Sequence, residues 1–323
     1  MALGEFDLIK RYFTPKQTAA DVLLGVGDDA AVLAVPDGYR LVAAVDTIVA
    51  GVHFPLDTGA ADIAYRALAV NLSDMAAMGA IPRWFTLSLC LPHADATWLN
   101  DFSTGLLQLA ERYDVRLVGG DTVKGPLNIS VQILGIVETD GWLTRTAAQP
   151  GDVVFVSGMP GEAAGGLRLL QSSHTAEDPC RRHLLERFYH PTPRIQLGRR
   201  IRKLANAAMD VSDGLLADLG KLCDASGCGA HVDVESLPIS STLSATFGRN
   251  EAMSYVLSGG DDYELVFTVS NDKLLHLEAA LADLTIRCTP IGRIVESGGV
   301  QCFRDGNRID TPSAGFDHFG MDD

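Results

Sequence analysis

Short β-branched runs alternate with amphipathic stretches along all 323 residues, and one strong break divides them. That alternation is the pattern of sheet packed against helix. Leu41 to Val45, Val115 to Val118 and Ile129 to Val137 read as strands, and Asp62 to Met78 and Ala96 to Tyr113 as helices. In the second helix Trp98, Phe102, Leu106, Leu109 and Tyr113 recur at helical spacing, as core contacts do. Gln149-Pro150-Gly151-Asp152 is the break. Beyond it come strand Val153 to Val156, helix Gly161 to Leu170, strand Ala207 to Val211, helix Leu215 to Ala225 and strand Ala230 to Val234. Strand Glu264 to Val269 and helix Asp272 to Leu284 follow. Two α/β halves are expected, covering residues 1–148 and 149–323.

Hydrophobic residues make up 47% of the chain and charged residues 21%, as in a packed core. The formal charge is −15, from 41 acidic and 26 basic residues, with no basic stripe to offset it. Such a field repels nucleic acid, and it also repels small phosphates unless a divalent metal stands between protein and ligand. Cys90, Cys180, Cys223, Cys228, Cys288 and Cys302 form no CxxC pair and read as core thiols of a reducing compartment. Met1 to Lys10 lacks the basic and apolar regions of a signal peptide, and no run is long enough to cross a bilayer. A cytoplasmic protein without a membrane partner is expected.

The informative feature is where the aspartates fall. Asp28 and Asp29 lie in Gly25-Val26-Gly27-Asp28-Asp29-Ala30, and Asp74 lies in an apolar helical segment. Asp210 and Asp213 lie in Met209-Asp210-Val211-Ser212-Asp213-Gly214. Asp46, Asp121 and Asp210 each follow an apolar strand, where ligands gather in α/β folds. Each has a structural alternative: Asp after Gly is a common turn residue, and Ser212 or Asp213 can cap the helix at Leu215. Gathered together, they would repel one another unless metal compensates, and oxygen-only ligands suit Mg²⁺.

No GxxxxGK[ST] loop and no protein-kinase HRD or DFG set is present. The turn Gly158-Met159-Pro160-Gly161 can cradle a phosphate or simply satisfy backbone geometry. Arg145 reads either as a phosphate clamp or as a surface arginine, and His53 follows Asp46 closely.

Further ordered segments complete the picture. They are Gly4-Glu5-Phe6-Asp7-Leu8-Ile9, Asp46-Thr47-Ile48-Val49-Ala50-Gly51-Val52-His53-Phe54, Asn71-Leu72-Ser73-Asp74-Met75, Gly119-Gly120-Asp121-Thr122, Ser258-Gly259-Gly260-Asp261-Asp262-Tyr263-Glu264-Leu265 and Gly315-Phe316-Asp317-His318-Phe319. In that order they resemble the thiamine-monophosphate kinases from end to end. The resemblance implies the two-domain PurM-like fold of the aminoimidazole ribonucleotide synthetase superfamily. Its N-terminal α/β domain pairs with its twin in a homodimer, and an α+β domain follows. It also implies the reaction of ATP with thiamine monophosphate to give thiamine diphosphate and ADP. By the family pattern, several Mg²⁺ ions sit on Asp28, Asp46, Asp74, Asp121, Asp210 and Asp213. Gly120, Asp121, Arg145 and Ser212 lie on the nucleotide, and His53, Asp261 and Phe316 on the thiamine phosphate. A K⁺ requirement is left open.

The chain departs from the pattern at three places. Ala44 and Val45 replace the usual hydroxyl residues before Asp46, Asp261 stands where many members have Glu, and Ser103 replaces an aromatic found in some relatives. Sister enzymes are the nearest alternatives, but this chain has no Cys before Cys90, where a selenophosphate synthetase carries a reactive one. Hydrogenase maturation factors end in a Cys-bearing tail, whereas this chain ends Gly320-Met321-Asp322-Asp323. Aminoimidazole ribonucleotide synthetase itself matches the Gly259 to Leu265 segment less well. A non-catalytic nucleotide or thiamine-phosphate binder on the same fold is the other alternative.

A phosphate acceptor is already ionised at neutral pH, so the chemistry asks mainly for positioning and charge neutralisation. Two unit charges ~4 Å apart repel by about 4 kcal/mol at an effective dielectric of 20. Asp74→Asn is therefore expected to cut turnover severely while the circular dichroism spectrum stays native. Near-normal turnover at low magnesium would remove Asp74 from the metal set.

Overall fold

The computed structural model describes residues 5–14, 19–172, 178–311 and 315. The chain divides into two compact units, Met1–Met75 with Ala80–Asp140, and Ala76–Gly79 with Gly141–Asp323.

Unit 1 opens with α1 (Glu5–Leu8), which continues into a π-helical turn over Ile9–Phe13. A small hairpin, β1 (Val22–Leu24) and β2 (Val32–Leu33), comes next. The unit is built on β3 (Tyr39–Val49), α2 (Ala60–Ala77), β4 (Ile81–Leu91), α3 (Ala96–Arg112), β5 (Arg116–Lys124) and β6 (Asn128–Glu138). The four long strands form one sheet in the order β3-β6-β4-β5. β4 and β5 are parallel across α3, and the other pairs are antiparallel. α3 starts where Asp95 Oδ1 accepts the N–H of Trp98 at 2.7 Å, and it buries Leu99, Phe102, Leu106 and Leu109 at the expected spacing. Tyr113 falls just past its end as the C-cap. The hairpin contributes Val22 and Leu33 to a second cluster around the fully buried Trp84.

Unit 2 contains β7 (Val153–Ser157), α4 (Glu162–Gln171), α5 (Pro179–Tyr189), α6 (Ile195–Ile201), β8 (Ala207–Val211), α7 (Leu215–Ser226) and β9 (Gly229–Asp233). It ends with α8 (Ser241–Phe247), α9 (Arg249–Ser258), β10 (Glu264–Val269), α10 (Leu274–Leu281), β11 (Cys288–Val295), β12 (Val300–Arg304) and β13 (Asn307–Ile309). The sheet order is β13-β12-β9-β11-β7-β10-β8. All its pairs are antiparallel except β12 with β9. β7, β8 and β10 are buried along their whole length, which is why they read as continuous apolar runs rather than alternating ones. Asp152 fastens the break residues to the sheet: its carboxylate accepts from Gln149 N at 3.0 Å, Asn206 Nδ2 at 3.0 Å and Thr268 Oγ1 at 3.1 Å.

Two sequence expectations need correction. The helix expected over Asp272 to Leu284 opens as a 3₁₀ turn, Asn271–Lys273, and its α-helical part is confined to α10. Asp46, Asp121 and Asp210 do not follow their strands but lie inside them, paired in register with Val131, Ser88 and Leu265. At Asp121 the reason is Gly120, whose φ is +152° and where a Cβ would lie 2.0 Å from Leu87 O. Glycine lets the ladder continue through a place where any other residue would end it.

Candidate functional site

In unit 1 the predicted carboxylates form two groups. Asp46 and Gly120 share one row across the sheet through Val131 and Leu87. The neighbouring row, Thr47, Ser130, Ser88 and Asp121, is polar in every strand, with Thr47 Oγ1 and Ser130 Oγ 2.6 Å apart. Rows alternate between faces of a pleated sheet, so Asp46 and Asp121 face opposite sides and sit on opposite edge strands. Three inter-strand spacings, ~14 Å, separate them laterally.

Asp121 and Asp28 belong together. They line a cavity of about 380 Å³ with Asp29, the Gly119–Gly120 backbone, Thr122 and an apolar wall that includes Ile9, Phe13 and Leu117. Asp28 Oδ1 accepts the N–H of Asp29 at 2.9 Å, and both carboxylates are exposed. Among the described residues, no Lys, Arg or His lines the cavity. Carboxylate oxygens are the donors that suit a hard divalent cation such as Mg²⁺. Among the described residues, no three His, Cys, Asp or Glu side chains stand close enough to hold a metal by themselves.

Asp46 belongs with α2. Its backbone N–H donates to Asn71 Oδ1 at 3.0 Å, while Asn71 Nδ2 donates to Ala67 O at 3.0 Å. Asn71 is fully buried and clamps β3 to the helix, and Asp74 lies one turn further on the same side of α2. Asp74 is half-buried, as expected of an acid among apolar neighbours. His53 sits in the turn after β3, and its Nδ1 accepts the N–H of Val49 at 3.1 Å. A neutral imidazole there carries its proton on Nε2.

In unit 2, Asp210 is buried within β8, and Ser212 and Asp213 form the turn into α7. Asp218, absent from the sequence-based set, organises this turn. Its Oδ2 accepts the N–H groups of Ser212 at 2.8 Å, Asp213 at 2.9 Å and Gly214 at 3.2 Å. Lys221 Nζ donates to Asp218 Oδ1 at 2.8 Å and also to Asp213 Oδ2. Burial pushes the Asp218 pKa up against the pull of these donors. Burial also opposes the Lys221 charge, but the hydrogen bonds it donates to Asp213 and Asp218 outweigh it and raise the Lys221 pKa. Asp261 joins the same turn through its N–H to Ser212 O at 2.8 Å. Gly315 lies against Asp213 O and Ala217, while Phe316 lies outside the described residues. Arg145 is exposed beside α7, its carbonyl accepting from Ser226 Oγ at 2.7 Å.

The turn before α4 is filled from within and cradles no phosphate. Asp262 Oδ2 accepts the N–H of Gly161 at 2.6 Å, and Oδ1 that of Ala163 at 3.2 Å. This carboxylate takes the place an anion would take at the helix N-terminus. Two residues on, the fully buried Glu264 meets Arg194 Nε at 2.6 Å, Arg187 Nη2 at 3.1 Å and Ser157 Oγ at 2.5 Å. Burial would raise the Glu264 pKa, but the two guanidinium groups and Ser157 outweigh it and hold it below the usual range. Gly158, at φ +62°, passes so close to Glu264 that a Cβ would lie 2.0 Å from Oε1. Asp261, before these anchors, and Tyr263, between them, adopt left-handed backbone at φ 71° and 52°. Asp262 and Glu264 thus secure the strained segment that presents Asp261.

These two units and their acidic turns define an AIR synthase related protein. The family models for its N-terminal and C-terminal domains match residues 27–137 and 149–305. The chain is 46% identical over 322 residues to the thiamine-monophosphate kinase of Escherichia coli K12, covering 99% of each chain. It is also similar to the crystal structure of thiamine-monophosphate kinase from Stenotrophomonas maltophilia K279a, at 47% identity and a TM-score of 0.84 over 90% of this chain and 93% of that one. A structure of AaThiL complexed with AMPPCP and TMP matches at 34% identity and a TM-score of 0.78, over 97% and 96% of the two chains. The chain belongs to the thiamine-monophosphate kinase family. Among the described residues no helix is long and apolar enough to cross a membrane.

Asp262 generates a pH prediction. Burial pushes its pKa up to about 8 from an ordinary 3.8, against the pull of the two amides. The folded state then holds this proton more tightly than the unfolded state. The stability it contributes is full below the unfolded value and is lost as pH rises through about 8. The slope reaches at most about 1.4 kcal/mol per pH unit. Urea midpoints measured at pH 5 and pH 8 are expected to differ less in Asp262→Asn than in the parent protein. An identical pH difference in both would contradict the assignment.

Proposed function

We propose that this chain transfers the γ-phosphoryl group of ATP directly to thiamine monophosphate, giving thiamine diphosphate and ADP. The observation that carries the reading is its full-length kinship with thiamine-monophosphate kinases. The acidic cavity of unit 1 supports it, because a site for two phosphate ligands walled by carboxylates calls for cations. Asp28, Asp46, Asp74, Asp121, Asp210 and Asp213 would hold magnesium. The bound metal would neutralise phosphate charge.

The chain's own groups do the rest. The Gly119–Gly120 stretch of β5 lines the cavity and would face a nucleotide phosphate. Arg145 and Ser212 would contact the nucleotide. His53, Asp261 and Phe316 would contact the thiamine phosphate. The acceptor oxygen is ionised already, so no general base is assigned and no phosphorylated enzyme is required.

A homodimer fits unit 1. β3 is an edge strand, and on it Leu41 is 52% exposed and Val45 61% exposed. Exposed apolar side chains on an unpaired edge suit a second copy. A cytoplasmic location accords with six free cysteines.

Purified protein supplied with Mg·ATP and thiamine monophosphate is expected to form thiamine diphosphate, read by chromatography, with no phosphoprotein trapped during turnover. ATP hydrolysis without thiamine diphosphate would contradict the reading. A phosphoprotein formed at a kinetically competent rate would contradict direct transfer.

A further inference from the structure

Asp213 carries a cation supplied by the chain itself. Lys221 lies two turns further along α7, and its ammonium group reaches both Asp213 Oδ2 and Asp218 Oδ1. The two acids are held differently. Asp218 is fully buried and collects three successive amide N–H groups from Ser212, Asp213 and Gly214, which fixes the backbone of the turn. The Asp213 side chain is 30% exposed and the Lys221 side chain 45% exposed. The contact between them is therefore the removable part of the arrangement, and the Asp218 contacts are the permanent part.

We propose that Lys221 is a positioning residue that holds the Asp213 carboxylate as an internal counter-ion, so that a divalent cation binds Asp213 only by displacing the ammonium group. The inference rests on the reading of Asp213 as a metal ligand. An ammonium on a flexible four-carbon stem suits this task, because it can leave Asp213 and remain on Asp218. A half-exposed ion pair is weak, so a divalent ion can replace it, yet it is strong enough to set the metal concentration at which replacement occurs. The turn keeps its shape throughout, since the three amides stay on Asp218. Lys221 thereby tunes metal affinity at Asp213 without touching either substrate.

The test uses the full chain with Mg²⁺ alone and then Mn²⁺ alone, without nucleotide. The Mg²⁺ dependence of the thermal unfolding midpoint and Mn²⁺ binding by electron paramagnetic resonance are the readouts. Lys221→Met is expected to lower the half-saturating metal concentration by about fivefold, the scale of one half-exposed ion pair. Lys221→Arg, which keeps the cation, is expected to stay near the parent value. Adding Asp213→Asn to Lys221→Met is expected to abolish the gain. Unchanged or weaker metal binding in folded Lys221→Met overturns the proposal. So does a gain that survives Asp213→Asn, because it would place the metal on Asp218. Lys221→Gln keeps a donor for Asp218 and gives the same readout if the Met variant does not fold. A parent protein that forms no thiamine diphosphate but shows the Lys221 effect contradicts the functional reading alone. An active kinase with an unchanged Lys221→Met titration contradicts this inference alone.

Discussion

A carboxylate taken out of water must find a cation or a set of N–H donors, and this chain arranges its acids around that requirement. In unit 2 the requirement is met internally. Asp262 takes two amides at the start of α4, Glu264 takes two guanidinium groups, and Asp218 takes three amides and Lys221. At the cavity of unit 1 it is left open: Asp28, Asp29 and Asp121 line a common space with no basic side chain among its described lining residues. The first set builds the turns and the second leaves work for a ligand.

The buried acids also explain why a strained motif can persist. Asp261 and Tyr263 hold left-handed backbone beside Ser212, and alternate residues of the same segment are anchored at Gly161, Ala163, Arg187 and Arg194. Removing Arg187 or Arg194 leaves the buried Glu264 charge undercompensated, which costs several kcal/mol, about 3–5 in comparable pairs. The segment is thus fixed by groups that need not touch a ligand.

Much of this was legible in the sequence. The strands Ala207–Val211 and Glu264–Val269 and the helix beginning at Leu215 stand where apolar runs and turn residues place them. The motif aspartates were visible as a set, but their positions within the ladder were not. A Gly-Gly-Asp triplet reads as a strand end, and only the close approach of Gly120 to Leu87 O shows that pairing continues. Asp218, Asp262, Glu264 and Lys221 were missed as organisers because their partners come from pairing and folding. Glu264 and Ser157, for instance, are 107 residues apart. One local signal did exist: an Asp in the first turn of α7 favours the N–H groups there. Asn71 was quoted within a motif, yet its clamp on Asp46 depends on a contact 25 residues away.

The central claim is that the carboxylates at the cavity of unit 1 hold divalent cations that let two anionic ligands meet. Crystals grown with Mn²⁺, a non-hydrolysable ATP analogue and thiamine monophosphate, with Mn²⁺ located by anomalous scattering, test it most directly. The account predicts metal peaks bonded to Asp28 and Asp121 and to phosphate oxygens of the analogue. Nucleotide phosphates seated away from these two residues, or bound there without metal, would contradict it.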